Sequence, residues 1–275
     1  KIKLYRSSTV GLEFDDFKVL QDPWLTDGEY FGSWSHFPYF DFEKNIDEIN
    51  SYDAIYISHI HPDHSSDKTL LKINKNIPVY IHKYHSKFLK LKLERYGFEV
   101  IEIPNGVNYK INKNVNLRIF AGDNCKPELC YKFFGCVNLL DNNDGSQQID
   151  SLAIFEDQND VIVNVNDCPY ELAKSTFDDI KKNYKKISAL LCGYQVSGPY
   201  PQCFDNLDDS QKISEGERIS IEALSKALGY INDLKPNYFL PFAGTYALSG
   251  SLSKLDKLRG AYSIDDAYKF LSKKQ

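Results

Sequence analysis

Apolar and polar residues alternate in three short segments at the start of the chain, with polar turns between them. These segments are Lys1–Tyr5, Thr9–Phe14 and Phe17–Asp22. Alternation with a period of two is typical of strands with one buried face, so the region predicts an antiparallel meander. Thr26–Phe42 is aromatic but follows no period, and we expect an ordered loop there. Asp53–Ser58 is apolar at its centre and predicts a buried strand that ends before His59.

Beyond this strand, helical patterns alternate with strand patterns. The predicted helices are Lys68–Ile73, Ser86–Tyr96, Tyr170–Lys185 and Gly216–Leu234. The predicted strands are Pro78–His82, Val100–Ile103, Val115–Phe120, Ser151–Glu156, Val161–Val165, Ile187–Cys192 and Asn237–Pro241. Two mixed sheets packed face to face, with helices outside, satisfy this order and predict an α/β (α+β) fold. Because no Pro/Gly/Ser-rich linker interrupts the pattern, we expect residues 1–275 to form a single domain.

Composition and charge narrow the class of function. Hydrophobic residues make up 42% of the chain and charged residues 26%, as in ordinary globular proteins. The net charge is −5 and no basic stripe is present, which argues against a nucleic-acid partner. No apolar run approaches the ~20 residues that span a bilayer, and the N-terminus lacks the apolar segment of a signal peptide. We therefore expect a cytoplasmic protein, without a membrane partner, that acts on a small molecule.

The strongest chemical signal is the segment Ser58-His59-Ile60-His61-Pro62-Asp63-His64. It holds three of the six histidines and directly follows the predicted buried strand. His59 and His61 are two residues apart, so in extended chain they point the same way. Asp63 and His64 would come round the following turn. Imidazole and carboxylate ligands suit zinc, iron or manganese. The segment predicts one or two divalent transition metals, with zinc first among them.

This segment resembles the His-x-His-x-Asp-His signature of the metallo-β-lactamase superfamily. The resemblance implies a four-layer αββα sandwich of two mixed sheets with outer helices. It also implies that His59 and His61 bind a first metal and Asp63 and His64 a second, with Asp167 bridging them. Judged by itself, Asp167 would more simply cap the helix that follows. Four further segments resemble the metallo-β-lactamase-like part of CMP-N-acetylneuraminate hydroxylases: Asp22–Leu25, Ile55–His59, Asn166–Cys168 and Pro241–Gly244.

The sequence departs from the superfamily pattern at two ligand positions. The superfamily usually adds one histidine after the strand that ends here near Phe120, and another after the last strand. No histidine follows His85, and these positions fall around Asp123–Lys126 and near Ala243. Asp123 or Cys125 could replace the first of them, or His36 could arrive from the aromatic loop. His36, Lys126, Tyr194 and Tyr246 are our candidates for substrate binding, because loops border the metals in this fold.

Three functions are compatible with these features. The first is a hydrolase in which metal-activated water attacks a phosphoester, lactone or amide, on a substrate that includes sugar or nucleotide-sugar derivatives. Asp63 or Asp167 would be catalytic by orienting the water. The second is an iron-dependent oxygenase resembling CMP-N-acetylneuraminate hydroxylase. It would need a separate electron-donor protein, because the sequence lacks the Rieske Cys-x-His motif. The third is a degenerate, non-catalytic binding domain.

Overall fold

The computed structural model describes residues 1–122 and 150–273. The strands in these ranges are β1 (Ile2–Arg6), β2 (Thr9–Glu13), β3 (Lys18–Gln21), β4 (Trp34–His36), β5 (Ala54–Tyr56), β6 (Val79–His82), β7 (Val100–Ile103), β8 (Asn108–Lys110), β9 (Asn116–Ala121), β10 (Ser151–Glu156), β11 (Val161–Asn164), β12 (Ala189–Gly193), β13 (Tyr238–Phe242) and β14 (Tyr246–Leu248). The helices are α1 (Phe42–Ile49), α2 (Asp67–Lys72), α3 (Phe88–Arg95), α4 (Tyr170–Ala173), α5 (Phe177–Asn183), α6 (Asp209–Leu234) and α7 (Ile264–Ser272). Short 3-10 helices cover Lys174–Thr176 and Gly250–Leu258, and an irregular turn covers Glu29–Gly32.

The strands form two mixed sheets and a small ribbon. The first sheet has the order β1-β2-β3-β5-β6-β7, and it is antiparallel up to β3 and parallel beyond. The second has the order β13-β12-β11-β10-β9-β8, with parallel pairing only among β11, β12 and β13. Strands β4 and β14 pair separately. The prediction of two mixed sheets is confirmed.

Alternate side chains of the strands build separate apolar layers. In β5, Ala54 and Tyr56 face the second sheet and pack with residues such as Phe155 and Leu191. Ile55 and Ile57 point the opposite way and pack under the outer helices α1, α2 and α3. The far face of the second sheet is covered by α5, α6 and α7 in the same manner. This period-two arrangement produces the four-layer αββα sandwich, because each sheet has two apolar faces to bury.

The structure differs from the sequence prediction in three elements. Helix α6 begins at Asp209, seven residues before the predicted start, because Asp208 and Gln211 form a capping box. The predicted helix Tyr170–Lys185 is divided by a 3-10 turn. Within the expected loop Thr26–Phe42, β4 forms by pairing with β14, far away in sequence. The single-domain assignment stays a prediction. None of the helices described is long and apolar enough to cross a membrane.

The β4–β14 ribbon packs against Trp24. Together they form a mainly aromatic cluster of Trp24, Trp34, Tyr246 and Leu248, called the aromatic cluster below. The rings of Trp34 and Tyr246 are stacked with centroids 3.8 Å apart. His36 lies beside this cluster, 5% exposed, with its ring 4.3 Å from that of Trp24. The cluster fixes the ribbon to the first sheet, since Trp24 lies three residues after the end of β3.

Close packing of α6 against the segment after Leu258 predicts an unusual response to a glycine substitution. A Cβ atom on Gly216 would lie 2.6 Å from the carbonyl carbon of Arg259, which is backbone and cannot rotate away. We expect Gly216→Ala to destabilise the fold by about 1–3 kcal/mol, although Ala normally improves a helix by ~1 kcal/mol over Gly. Denaturant unfolding measures this, with Ser225→Ala on the exposed face of α6 as the control. A Gly216→Ala protein more stable than wild type would contradict the packing described.

The burial of His36 predicts a pH dependence of stability. Burial lowers the pKa of His36 from its ordinary value of 6.5 to about 4. The folded state therefore holds a neutral ring, and its stability is lost as the pH falls from about 6.5 towards 4. The loss amounts to about 3 kcal/mol at 1.36 kcal/mol per pKa unit. We expect His36→Phe to lose correspondingly less stability between pH 7 and pH 4 in urea titrations with chelator present. An equal loss of unfolding free energy between pH 7 and pH 4 in the two proteins would refute this.

Candidate metal centre

The histidine segment leaves the end of β5 and turns back on itself. The backbone N–H groups of His64 and Ser65 donate to the carbonyl of His61, at 3.0 Å and 2.9 Å. This turn brings Asp63 and His64 alongside His59. Asp167 approaches from the other sheet, three residues after β11 ends. Both β5 and β11 lie inside their sheets, so the centre forms where two rigid strand ends meet.

Two groups of donor atoms share the carboxylate of Asp167. His59, His61 and Asp167 form one group, and Asp63, His64 and Asp167 form the other, each with donor atoms within 4.8 Å of one another. In the first, His59 Nε2 is 3.0 Å from His61 Nδ1 and 3.8 Å from Asp167 Oδ2. In the second, His64 Nε2 is 3.2 Å from Asp167 Oδ2 and 3.6 Å from Asp63 Oδ2.

Outer contacts orient both imidazoles towards these groups. Ser58 Oγ lies 2.9 Å from His59 Nδ1, and Asp22 Oδ2 lies 2.9 Å from His64 Nδ1. The hydroxyl and backbone N–H of Ser58 also donate to Asp22, at 2.8 Å and 2.7 Å. With each Nδ1 engaged, each Nε2 faces the donor group. Such outer contacts are the usual way in which proteins fix a metal-binding histidine.

A tyrosine fixes the orientation of Asp63. The Tyr30 hydroxyl donates to Asp63 Oδ1 at 2.6 Å, leaving Oδ2 towards His64. Tyr30 has a φ of 49°, which is uncommon for a residue other than glycine. Its ring packs on that of Trp34, with centroids 4.3 Å apart, and this contact helps to hold the turn.

The electrostatics of the cluster suit a cation. Burial lowers the pKa of His59 well below its usual value, so the ring is neutral and has a lone pair to offer. Burial also lowers the pKa of His64, but the carboxylates of Asp167, Asp22 and Asp63 outweigh it and raise the pKa well above the usual value. The imidazoles and carboxylates present are the donors that zinc, iron and manganese take in proteins. The residues therefore fit one or two divalent transition metals.

A cleft of about 600 Å³ opens over the centre. Its floor includes Asp63, His64 and Asp167, and the side chain of Asp167 is 38% exposed to it. Tyr30 and Trp34 form one wall, and the segment from Gln195 to Pro199 forms part of another. The volume is within the usual range for sites that bind small molecules.

The structure brings together His59, His61, Asp63, His64 and Asp167. The substrate-binding candidates that it describes, His36, Tyr194 and Tyr246, do not line the cleft. His36 lies behind the aromatic cluster and Tyr194 in the core under α6, so neither lines the cleft. Tyr194 is turned inward because β12 ends at Gly193, and Gln195 takes the cleft side instead.

The other candidates are placed as follows. Tyr246 is buried between Trp34 and the guanidinium of Arg259, away from the cleft surface. Asp123, Cys125 and Lys126 lie outside the residues that the structure describes. Ala243, at the position of the last superfamily histidine, lines the cleft with a methyl group.

Sequence reasoning assigned no role to three residues at the centre. Asp22 contacts His64, Tyr30 contacts Asp63, and Asp150 Oδ1 lies 3.7 Å from His59 Nε2. For Asp22 a signal was available, because it starts the segment Asp22–Leu25 that resembles the hydroxylases. Asp150 directly precedes a predicted strand, and that position gave a weaker signal. Tyr30 gave none, because its position depends on an irregular turn.

Comparisons with known proteins agree with this geometry. No family model matches the chain. It is 25% identical over 260 residues to the CMP-N-acetylneuraminic acid hydroxylase of Cricetulus griseus, covering 90% of this chain and 40% of that protein. The match to the Sus scrofa hydroxylase is 24% over 260 residues, covering 90% and 52%. The chain thus spans about half the length, or less, of these relatives.

Solved structures share the fold at low sequence identity. Isothiocyanate hydrolase from Delia radicum gut bacteria aligns with a TM-score of 0.63 at 12% identity, covering 99% of this chain and 92% of that one. CmlA, a diiron β-hydroxylase from Streptomyces venezuelae, aligns at 0.59 and 14%, covering 98% and 48%. The metallo-β-lactamase fold protein YhfI from Bacillus subtilis aligns at 0.52 and 11%, covering 98% and 85%. The chain therefore has the metallo-β-lactamase fold with a His/Asp metal-binding site typical of it, and it is distantly homologous to the metallo-β-lactamase-like part of CMP-N-acetylneuraminate hydroxylases.

Proposed function

We propose that this protein is a metal-dependent hydrolase of small molecules. The observation that carries the proposal is the position of Asp167, which is shared by two donor groups at the floor of an open cleft. When bound, a pair of metals lowers the pKa of coordinated water and polarises the bond to be cleaved.

The residues of the chain have distinct roles in this proposal. His59 and His61 would hold the first metal, Asp63 and His64 would hold the second, and Asp167 would contribute to both groups. Asp22 accepts a hydrogen bond from the Nδ1–H group of His64, which leaves Nε2 free to bind the metal. The exposed part of Asp167 faces the cleft, where the carboxylate can accept a hydrogen bond from the attacking water and so orient it.

The cleft supports a substrate with a flat or apolar part and an acidic one. The ring of Tyr30 and the edge of Trp34 offer apolar surface for a sugar or base. Lys226 also belongs to the lining; its ammonium pairs with Glu222 at 3.1 Å and can turn to a phosphate. Phosphoesters, lactones and amides, including sugar and nucleotide-sugar derivatives, fit this description. We also propose that the protein acts on a small molecule in the cytoplasm and that it binds neither nucleic acid nor a membrane.

An iron-dependent hydroxylase is the second candidate. It is favoured by the distant homology to CMP-N-acetylneuraminic acid hydroxylases, which extends over 90% of the chain. The same residues would then hold iron, and electrons would come from a separate donor protein. A non-catalytic binding domain remains the outcome if the centre holds no metal.

The metal content of the purified protein separates these functions. We expect one or two transition metals per chain, and at least one fewer in His61→Ala, because His61 supplies a donor to the first group. His85→Ala, at an exposed histidine away from the centre, is the matched control. Elemental analysis gives both number and identity.

The identity of the metal decides which activity is assayed. Zinc or manganese, with turnover of phosphoesters or lactones, supports the hydrolase. Iron, with oxygen consumption in the presence of nucleotide sugars and a reductant, supports the hydroxylase. Wild-type protein that takes up no metal, even when metal is added back, would contradict both enzymes.

The hydrogen bond from Tyr30 to Asp63 predicts a selective effect on the second metal. We expect Tyr30→Phe to weaken binding of the second metal by ~10-fold or more, the usual cost of losing an outer contact. Tyr246→Phe is the control, since its hydroxyl belongs to the same aromatic cluster but accepts from Gly198. Chelator-competition titrations measure both. Equal affinities in wild type and Tyr30→Phe would show that Asp63 does not depend on this contact.

A further inference from the structure

Asp150 is held at the metal centre by the start of β10. The N–H of Gly122 donates to the Asp150 carbonyl at 2.8 Å, and Ser151 pairs with Ala121 at the end of β9. A Cβ on Gly122 would lie 3.1 Å from the Asp150 carbonyl oxygen and 3.2 Å from its Cβ, so the two backbones approach each other closely. The backbone of Asp150 is therefore fixed by two strands.

The carboxylate of Asp150 reaches the first donor group. Its Oδ1 is 3.7 Å from His59 Nε2, the nitrogen that lies 3.0 Å from His61 Nδ1 and 3.8 Å from Asp167 Oδ2. Donors that share a metal at bond lengths of ~2.0–2.2 Å lie roughly 3–4 Å apart. Asp150 stands outside the tight group of three, because its oxygen approaches His59 rather than the other two donors.

The other described residues near the expected ligand positions are engaged elsewhere or lack a donor. Asp22 already contacts His64 and Ser58. The ring of His36 lies on Trp24, behind the cleft wall. Ala243 offers a methyl group.

From this geometry we propose that Asp150 is a ligand of the first metal, in the position where the superfamily pattern led us to expect a histidine. The first metal is then held by His59, His61, Asp150 and Asp167. This inference rests on the metal centre of the proposed function and names a donor that the sequence motif does not contain.

The chemical consequence concerns which metal binds. Two imidazoles and two carboxylates form a harder, more anionic set than three imidazoles and one carboxylate. Carboxylate oxygen suits manganese and iron(II), whereas extra nitrogen favours zinc. The first site should therefore accept manganese or iron(II) more readily than a three-histidine site would.

The test is a titration of metal-free full-length protein with Mn²⁺, and separately with Zn²⁺, against a competing chelator. Asp150→Asn keeps the shape of the side chain and removes its charge. Asp150→His supplies the nitrogen donor instead. Glu156→Gln is the matched control, because it removes a carboxylate charge at the far end of β10 without removing a metal donor. His61→Ala marks the loss of the first site, and circular dichroism verifies folding of each variant.

We expect Asp150→Asn to weaken binding of the first metal by more than ~10-fold, since ~10-fold is already the cost of losing an outer contact. The affinity for the second metal should not change. Asp150→His should bind the first metal again, and the ratio of its zinc affinity to its manganese affinity should be at least ~10-fold higher than in wild type. Two metals of wild-type affinity in Asp150→Asn, with one lost in His61→Ala, would overturn the role of Asp150 alone. No metal in wild type would overturn the metal centre itself.

A crystal structure of the Mn²⁺-loaded wild-type protein gives an independent answer if Asp150→Asn does not fold. An Asp150 oxygen at ~2.0–2.2 Å from the first metal supports the assignment. A metal that is bound by His59 and His61, with its further ligand from Asp123 or Cys125 and Asp150 beyond contact, refutes it.

Discussion

The metal centre depends on one buried contact, between Asp22 and His64. Asp22 is fully buried, and it accepts hydrogen bonds from the backbone and hydroxyl of Ser58 as well as facing His64 Nδ1. Its own backbone N–H donates to the Tyr56 carbonyl, and Thr9 Oγ1 donates to its carbonyl. Asp22 thereby ties the ends of β3 and β5 to the histidine segment. Breaking this contact would leave a buried carboxylate without its main partner, which is costly.

The fold and the centre answer different physical demands. The four layers follow from burying two apolar faces on each sheet. Many different side chains at the strand ends would be compatible with that packing. The centre instead gathers Asp22, Asp63, Asp150 and Asp167 around two buried imidazoles, an arrangement that works against stability unless a cation compensates it. Such an unfavourable concentration of like charge is a general feature of functional sites. The sandwich supplies the rigidity that keeps these charges together.

Sequence predicted the fold and the local part of the centre for identifiable reasons. Four of the donors lie within six residues, namely His59, His61, Asp63 and His64. A single turn brings them together, so a short sequence motif is enough to predict their proximity. The pairing of Asp22 with His64 spans 42 residues and depends on the parallel register of β3 with β5. No pattern in either segment specifies that register.

Other misses have the same origin in tertiary structure. Tyr194 and Gln195 are adjacent, and only the end of β12 decides which of them faces the cleft. Strand β4 was hidden inside an aromatic segment, because its partner β14 lies about 210 residues away. Sequence reasoning therefore located the clustered donor residues better than the walls of the cleft, since four of the donors lie close together along the chain whereas the walls come from segments that meet only after folding.

The relation between hydrolysis and hydroxylation in this fold follows from what the protein itself contributes. His59, His61 and Asp167 perform the same task in either reaction, because each requires a metal fixed at the floor of a cleft. The difference lies in the redox chemistry of the ion, which the charge of the donor set influences. A carboxylate-rich donor set lowers the net charge of the metal together with its ligands, and this stabilises the more oxidised form of a redox-active metal. In the proposed function, the walls made by Tyr30, Trp34 and the segment after Tyr194 would then select the substrate. Metal identity and substrate identity would thus be set by different parts of the structure, so that one could change without the other.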